Sequence, residues 1–191
     1  VVSDYDYIAP MYNQLGINLF VADYRGYGAS QGSPTFSNTI SDAPIIFTAF
    51  TDLLSESHYS GGIFVMGRSL GSISAIEITH RYHEQIKGLI IESGFASIVN
   101  LLSHLGLPAK SLGIKDVDFP NLAKIRAITM PLLIIHGEYD SLIPPSEAEA
   151  LFTASATRDK RLVIIPKADH NDIMWVGMER YLEAIKEFVF A

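Results

Sequence analysis

Gly62-Ile63-Phe64-Val65-Met66-Gly67-Arg68-Ser69-Leu70-Gly71 runs from a short apolar segment straight into a Gly-x-Ser-x-Gly pattern, and helical periodicity begins at residue 70. A compact run rich in β-branched and aromatic residues has the character of a buried strand. Glycines at 67 and 71 leave room for a tight, strained turn that lifts the Ser69 hydroxyl clear of the sheet edge. Five common residues carry little weight by themselves. The strand before them and the helix after them supply the context that such a serine requires.

Working outward, four more apolar runs have the same character: Ile17-Asn18-Leu19-Phe20-Val21-Ala22, Gly88-Leu89-Ile90-Ile91, Pro131-Leu132-Leu133-Ile134-Ile135 and Arg161-Leu162-Val163-Ile164-Ile165. None alternates cleanly between apolar and polar, as suits parallel strands covered on both faces. Helical patterns lie between them. The first spans 38–57, with Ser41 or Asp42 as cap ahead of Pro44 near a first turn. The second spans 70–83, where Gly71, Ser72 and Ala75 allow close approach to a sheet. The third spans 145–155. The last spans 172–190, with Met174, Met178, Tyr181, Leu182, Ile185, Phe188 and Val189 on one face. Strand–helix alternation of this kind predicts an α/β architecture with right-handed crossovers. The stretch 96–129 interrupts the rhythm with Gly106, Pro108, Gly113 and Pro120 and no strand. It reads either as a small cap over a site or as a plain surface excursion.

A chain of 191 residues with 48% hydrophobic content is long enough for one domain with a real core, here 1–191. The net charge of -7 argues against a nucleic-acid or anionic-membrane partner, and no run of Lys or Arg offers a phosphate-binding stripe. Without cysteine there is no disulfide, thiolate metal site or cysteine nucleophile. No apolar stretch reaches the ~20 residues of a membrane span. The first residues carry no basic n-region of a signal peptide, and a cytoplasmic location is the expectation.

A serine nucleophile needs a base within hydrogen-bond reach, and the base needs an orienting acid. In an open parallel sheet such groups sit in loops after strand C-termini. Two loops qualify. One is His136-Gly137-Glu138-Tyr139-Asp140-Ser141-Leu142-Ile143-Pro144, and the other is Pro166-Lys167-Ala168-Asp169-His170-Asn171-Asp172. Ser69, Asp140 and His170 follow one another in the chain order known for α/β-hydrolases.

Four motifs then agree in order and context: Asp23-Tyr24-Arg25-Gly26-Tyr27-Gly28-Ala29-Ser30, the turn at Ser69, Gly137-x-x-Asp140-x-x-x-Pro144, and His170-Asn171-Asp172. On these the chain resembles the α/β-hydrolases. Within them it is similar to compact serine hydrolases of the Bem46 type and their dienelactone-hydrolase-like and prolyl-oligopeptidase-like relatives. The resemblance implies a three-layer α/β-hydrolase fold with a mostly parallel, doubly wound sheet whose N-terminal strands are absent from this chain. It also implies Ser69 as nucleophile, His170 as general base and then acid, and Asp140 as the group that fixes the imidazole tautomer. The backbone N–H of Leu70 would donate to the oxyanion, helped by the helix dipole. Family members place two further strands, and a third ending in an H-G-x-x motif, ahead of the region where Val1 stands. That upstream loop supplies the second oxyanion donor. The absent strand belongs between the first two strands of this chain, so the expectation is an open gap in the sheet and a natural chain longer than 191 residues.

Other roles remain open for these residues. Ser69 can be a helix cap. Glu138 can replace Asp140 as the acid, and Asp169 and Asp172 flank the histidine closely. The family pattern treats His136 as structural. His58, His80, His83 and His104 read as solvated, and Asp23 with Arg25 as a loop-pinning pair. His80 and His83 beside Glu77 and Glu84 suggest an exposed helical face more than a metal site. The expected activity is hydrolysis of a carboxylic ester or thioester through an acyl-enzyme. It takes a small-molecule ester or acyl substrate and needs no metal or organic cofactor. Phe95, Leu142 and Ile143 are candidates to line the acyl pocket. An amide or peptide hydrolase, or a catalytically silent binding module of the same fold, are the alternatives. Oligomeric state is not legible.

Overall fold

The computed structural model describes all residues from Val1 to Ala191. The chain divides into two compact units, Val1–Gly61 and Gly62–Ala191.

The first unit holds a 3-10 turn at Val2–Tyr5, helix α1 (Ala9–Gln14) and the long helix α2 (Phe36–Glu56). Phe20 and Phe50 stack with ring centroids 4.7 Å apart, and Phe47 packs against Phe50. Arg25 donates through Nε to Asp42 Oδ2 at 2.9 Å, while the Asp23 carboxylate accepts the Val2 amide at 2.8 Å. Arg25 is therefore a loop pin, with Asp42 rather than Asp23 as its partner. Gly28, at φ +54°, leaves no room for a Cβ, which would lie 1.8 Å from Asp23 Oδ2.

Two expectations fail in this unit. Ile17–Ala22 joins no ladder and has no hydrogen-bonded strand neighbour in the chain. A β-branched, apolar composition suits a strand, but only pairing makes one. Helix α2 also starts earlier than expected. Thr35, in extended geometry, accepts the Asn38 amide through Oγ1 at 3.1 Å and caps the helix, so neither Ser41 nor Asp42 does. Pro44 then falls in the helix interior, where it removes one backbone bond. Burial of Thr39, Asp42, Ala43 and Phe47 on either side holds the helix together through it.

The second unit is an α/β layer structure. Strands β1 (Ile63–Arg68), β2 (Ile86–Glu92), β3 (Leu132–Gly137) and β4 (Lys160–Ile165) form one sheet in the order β1-β2-β3-β4, every neighbour parallel. Helix α3 (Gly71–Arg81) links β1 to β2. Helices α4 (Ile98–His104) and α5 (Asn121–Ala127), with a 3-10 turn at Asp116–Asp118 between them, link β2 to β3. Helix α6 (Pro145–Ala154) links β3 to β4, and α7 (Ile173–Val176) and α8 (Met178–Val189) close the chain.

Alternate side chains of each strand go to opposite faces. Leu89, Ile91, Leu132 and Ile134 pack in one core with Ala75 and Ile76 of α3, Ile125 of α5, and Ala148 and Leu151 of α6. Each leucine or isoleucine so removed from water contributes about 2 kcal/mol. Within the 96–129 excursion, Ile125 and Ile128 thus belong to this core. On the other face α8 lies close over the sheet: a Cβ on Gly88 would come within 2.8 Å of Phe188, whose ring sits 5.8 Å from that of Phe64. The helix expected over 172–190 is two helices, broken at Gly177. A Cβ there would lie 2.2 Å from Ile165, so a glycine is needed where the chain turns against β4. Met174, Tyr181 and Ile185 are buried, in keeping with the apolar face read from the sequence.

Candidate functional site

The carboxyl ends of β1, β3 and β4 carry the candidate residues. Ser69 follows β1 directly with φ +52°, in the left-handed region that disfavours any side chain. Three things hold it there. Its own amide donates to the Glu92 carbonyl at 2.9 Å, and its carbonyl accepts the Ser72 amide at 3.0 Å. Gly67 lets α3 press against the strand, since a Cβ at Gly67 would meet the Gly71 carbonyl oxygen at 2.5 Å. Ser69 therefore occupies a strained turn and does not cap α3: Leu70 is the N-cap residue, with no side-chain hydrogen bond. The Leu70 amide makes no hydrogen bond within the chain, as expected for an N-terminal amide of a helix.

Ser69 Oγ lies 3.0 Å from His170 Nε2, and His170 Nδ1 lies 2.8 Å from Asp140 Oδ2. Both His170 and Asp140 are buried. Asp140 Oδ1 accepts the backbone amides of Leu142 at 3.1 Å and Ile143 at 2.8 Å. Burial pushes the Asp140 carboxyl up, but the hydrogen bonds from His170 and the Ile143 amide outweigh it and hold the group below the usual carboxylate range. Asp140 is thus an ionised acceptor with its oxygens fixed in direction.

Glu138 points elsewhere, its Oε2 accepting the Lys167 amide at 2.8 Å, so it does not stand in for Asp140. Asp169 bonds to backbone and Ser141 rather than to the His170 ring. It accepts the amides of Ser141 at 2.9 Å and His170 at 2.7 Å, and those bonds hold its carboxyl low. Asp172 accepts the Asp169 amide at 2.7 Å. These contacts tie the acid loop and the histidine loop together.

Phe95 and Ile143 are fully buried, whereas Leu142 is 39% exposed. His104 does more than face solvent: its Nε2 lies 2.9 Å from the Ser141 carbonyl, linking α4 to the acid loop. Glu77 is engaged by Arg81 at 3.0 Å and Lys124 at 2.5 Å, which takes the acid away from His80 and His83. No group of three or more His, Asp or Glu residues is arranged to hold a metal ion, and no helix is long and apolar enough to cross a membrane.

Two further groups border the site: His136, which the family pattern treats as structural, and Arg68, to which the sequence assigns no role. His136 is fully buried, with Nε2 2.8 Å from the Ile143 carbonyl and 3.3 Å from Asp140 Oδ2, while its Nδ1 has no partner. Burial pushes its pKa down, and the bond to the Ile143 carbonyl and the charge of Asp140 only partly offset this, so the ring is neutral and donates through Nε2. Arg68, directly ahead of the serine, reaches across to the His170 loop: its Nη2 donates to the His170 carbonyl at 2.7 Å. The strand position of His136 was a weak signal of its placement. For Arg68 the sequence held none, because its partners in the histidine loop, His170 and Asn171, lie more than 100 positions away.

Comparison with known proteins adds an independent line. The family described as serine aminopeptidase, S33, matches residues 2–115 and 120–174. The chain is 31% identical to human alpha/beta hydrolase domain-containing protein 17B over 180 residues, covering 93% of this chain and 58% of that protein. It is also 31% identical to protein bem46 of Schizosaccharomyces pombe over 182 residues, covering 93% of this chain and 59% of the relative. The chain thus spans less than two thirds of the length of these curated relatives. Among solved structures, a monoacylglycerol lipase of Paleococcus ferrophilus superposes with a TM-score of 0.73 at 20% identity. That match covers 98% of this chain and 88% of the lipase, a likeness of fold.

Proposed function

The chain belongs to the α/β-hydrolase superfamily, in the family described as serine aminopeptidase, S33, and on that premise we propose that it is a serine hydrolase cleaving carboxylic esters or thioesters. The observation that carries the reading is the continuous chain Ser69 Oγ–His170 Nε2–Asp140, at 3.0 and 2.8 Å, ending on a serine held at φ +52°. A helix cap has no need of that strain or of a buried histidine.

In this mechanism Ser69 Oγ attacks the substrate carbonyl as His170 Nε2 takes the hydroxyl proton. Asp140 keeps the other ring nitrogen protonated and balances the imidazolium charge. The unpaired Leu70 amide, at the positive end of α3, donates to the developing oxyanion. Collapse of the tetrahedral intermediate expels the alcohol or thiol, which takes its proton from His170 and leaves an acyl group on Ser69. Water, deprotonated by the same imidazole, then releases the acid. Leu142 is the pocket candidate with surface to offer a substrate; Phe95 and Ile143 are fully buried and offer none.

The description of the matching family also favours a second reading, hydrolysis of a peptide or amide bond by the same residues. The test is labelling of the full-length protein by a fluorophosphonate, with Ser69→Ala as control. Turnover of p-nitrophenyl esters of rising chain length, set against amino-acid p-nitroanilides, follows. Labelling that depends on Ser69 with ester turnover is the expected result. Faster anilide turnover favours the peptidase, and absence of labelling overturns the hydrolase in favour of a silent binding module.

A further inference from the structure

The histidine loop faces a geometric problem. It follows β4, whereas Ser69 follows β1, and β2 and β3 stand between them. Three strand spacings put the two strand ends about 14 Å apart. The loop 166–172 has to lean back over the sheet to bring His170 to Ser69, and it contains no regular structure to hold that course.

Its hydrogen bonds show how the course is fixed. The Lys167 amide is held by Glu138, the Ala168 carbonyl by the Tyr139 amide at 2.8 Å, and Asp169 by Ser141. All of these anchor the loop to the segment after β3, midway across. The last step is made by Arg68, whose Nη2 donates to the His170 carbonyl at 2.7 Å and to Asn171 Oδ1 at 3.2 Å. The same side chain donates through Nε to Glu92 Oε1 at 3.0 Å. Glu92 lies opposite Arg68 in the parallel register, is buried, and accepts the Tyr181 hydroxyl from α8 on its other oxygen at 2.6 Å. Glu92 and Tyr181 therefore fix a planar, five-donor group that points at the backbone of the histidine itself.

Arg68 and Ser69 are consecutive, so their side chains leave the strand end in different directions. One reaches the His170 ring, and the other reaches the His170 backbone. We infer that Arg68, oriented by Glu92 and Tyr181, is a positioning residue that sets the distance from His170 Nε2 to Ser69 Oγ. The inference rests on the hydrolase reading above. It accounts for a buried acid and a buried phenol that no step of the reaction uses. Arg68 touches neither substrate nor the reacting atoms. Its contribution is to hold the backbone of the base from the β1 side, while Asp140 and Asp169 hold it from the loops after β3 and β4.

The test uses the full-length protein and a fluorophosphonate, measuring the saturating inactivation rate and the half-saturating probe concentration separately. Arg68→Ala is expected to lower the saturating rate about 100-fold, the scale of a misplacement of about 1 Å, and to leave half-saturation unchanged. Guanidinium ion at low concentration, filling the space left by the side chain, is expected to recover much of the rate, and Arg68→Lys to retain part of it. A purely structural role would show instead as a lower melting temperature without recovery by guanidinium. If Arg68→Ala melts below the assay temperature, Arg68→Lys and Glu92→Gln carry the test, and both are expected to be slower than the parent at unchanged half-saturation. Parent-like rates in the folded variants overturn the inference, as does a slow Arg68→Ala that neither guanidinium nor lysine improves. A parent chain that does not label overturns the hydrolase reading and this inference together, while a labelling parent with indifferent variants overturns this inference alone.

Discussion

Replacing Asp140 by asparagine separates geometry from charge at the candidate site. The carboxylate accepts three donors, the amides of Leu142 and Ile143 on Oδ1 and the ring of His170 on Oδ2, and His136 Nε2 lies 3.3 Å from Oδ2. An asparagine must turn its NH2 either towards the two amides or towards the two rings. The backbone amides cannot change their role, whereas an imidazole can change tautomer, so the NH2 faces the histidines. His170 Nδ1 then becomes an acceptor, its proton moves to Nε2, and Nε2 can no longer take the proton of Ser69. A loss of about 10⁴ in rate follows, the scale expected when the acid of such a triad becomes an amide. That is ~5.4 kcal/mol on the barrier. His136 keeps its 2.8 Å bond to the Ile143 carbonyl and loses only the longer contact, so folding weakens by about 1 kcal/mol. The assay is p-nitrophenyl ester hydrolysis beside a urea melt, with Glu138→Gln as comparator. Glu138→Gln should stay near the parent rate. Asp140→Asn within tenfold of the parent, or Glu138→Gln equally impaired, refutes the reasoning.

Two further outcomes follow from the same coordinates. Ser69 at φ +52° carries ~1–2 kcal/mol of strain for any residue with a Cβ, against which glycine gives back ~0.4–1 kcal/mol of unfolded-chain entropy. Ser69→Gly should therefore be more stable than Ser69→Ala by roughly 0.5–1 kcal/mol in urea; a less stable glycine variant contradicts the strain. His136 is buried and neutral with its pKa below the ordinary 6.5, so the unfolded chain binds the extra proton first as pH falls. Its contribution to stability is intact above about pH 6.5 and is lost progressively below it, whereas the depressed Asp140 adds its own loss only below about pH 4. His136→Gln keeps a donor at the same place without titrating, and should flatten the fall in stability between about pH 6.5 and 5. Equal slopes in the two proteins refute the assignment.

Much of this architecture is legible in the chain. The four runs that became β1 to β4 are apolar on both faces, and a strand buried on both sides leaves that trace whatever its neighbours are. The turn at Ser69 is legible for a related reason, because glycines and a serine between strand and helix satisfy local backbone sterics. Ile17–Ala22 has the same composition as the other runs and forms no ladder, since pairing is a property of a partner. The break at Gly177 depends on a contact with Ile165, outside its own window. The cap of α2 at Thr35 is local, accepting the Asn38 amide three residues on, and is legible in the sequence.

Sequence by itself determined the α/β class, the strained turn, and the three residues Ser69, Asp140 and His170 as candidates, since each rests on local pattern and order along the chain. Only the tertiary structure shows that Asp140 bonds to the His170 ring while Glu138 accepts the Lys167 amide, because the direction of a carboxylate is not written in its loop. It alone turned His136 towards Asp140 and Arg68 towards the His170 backbone. Side-chain direction across a sheet is set by register and packing between distant segments, and no local pattern encodes it.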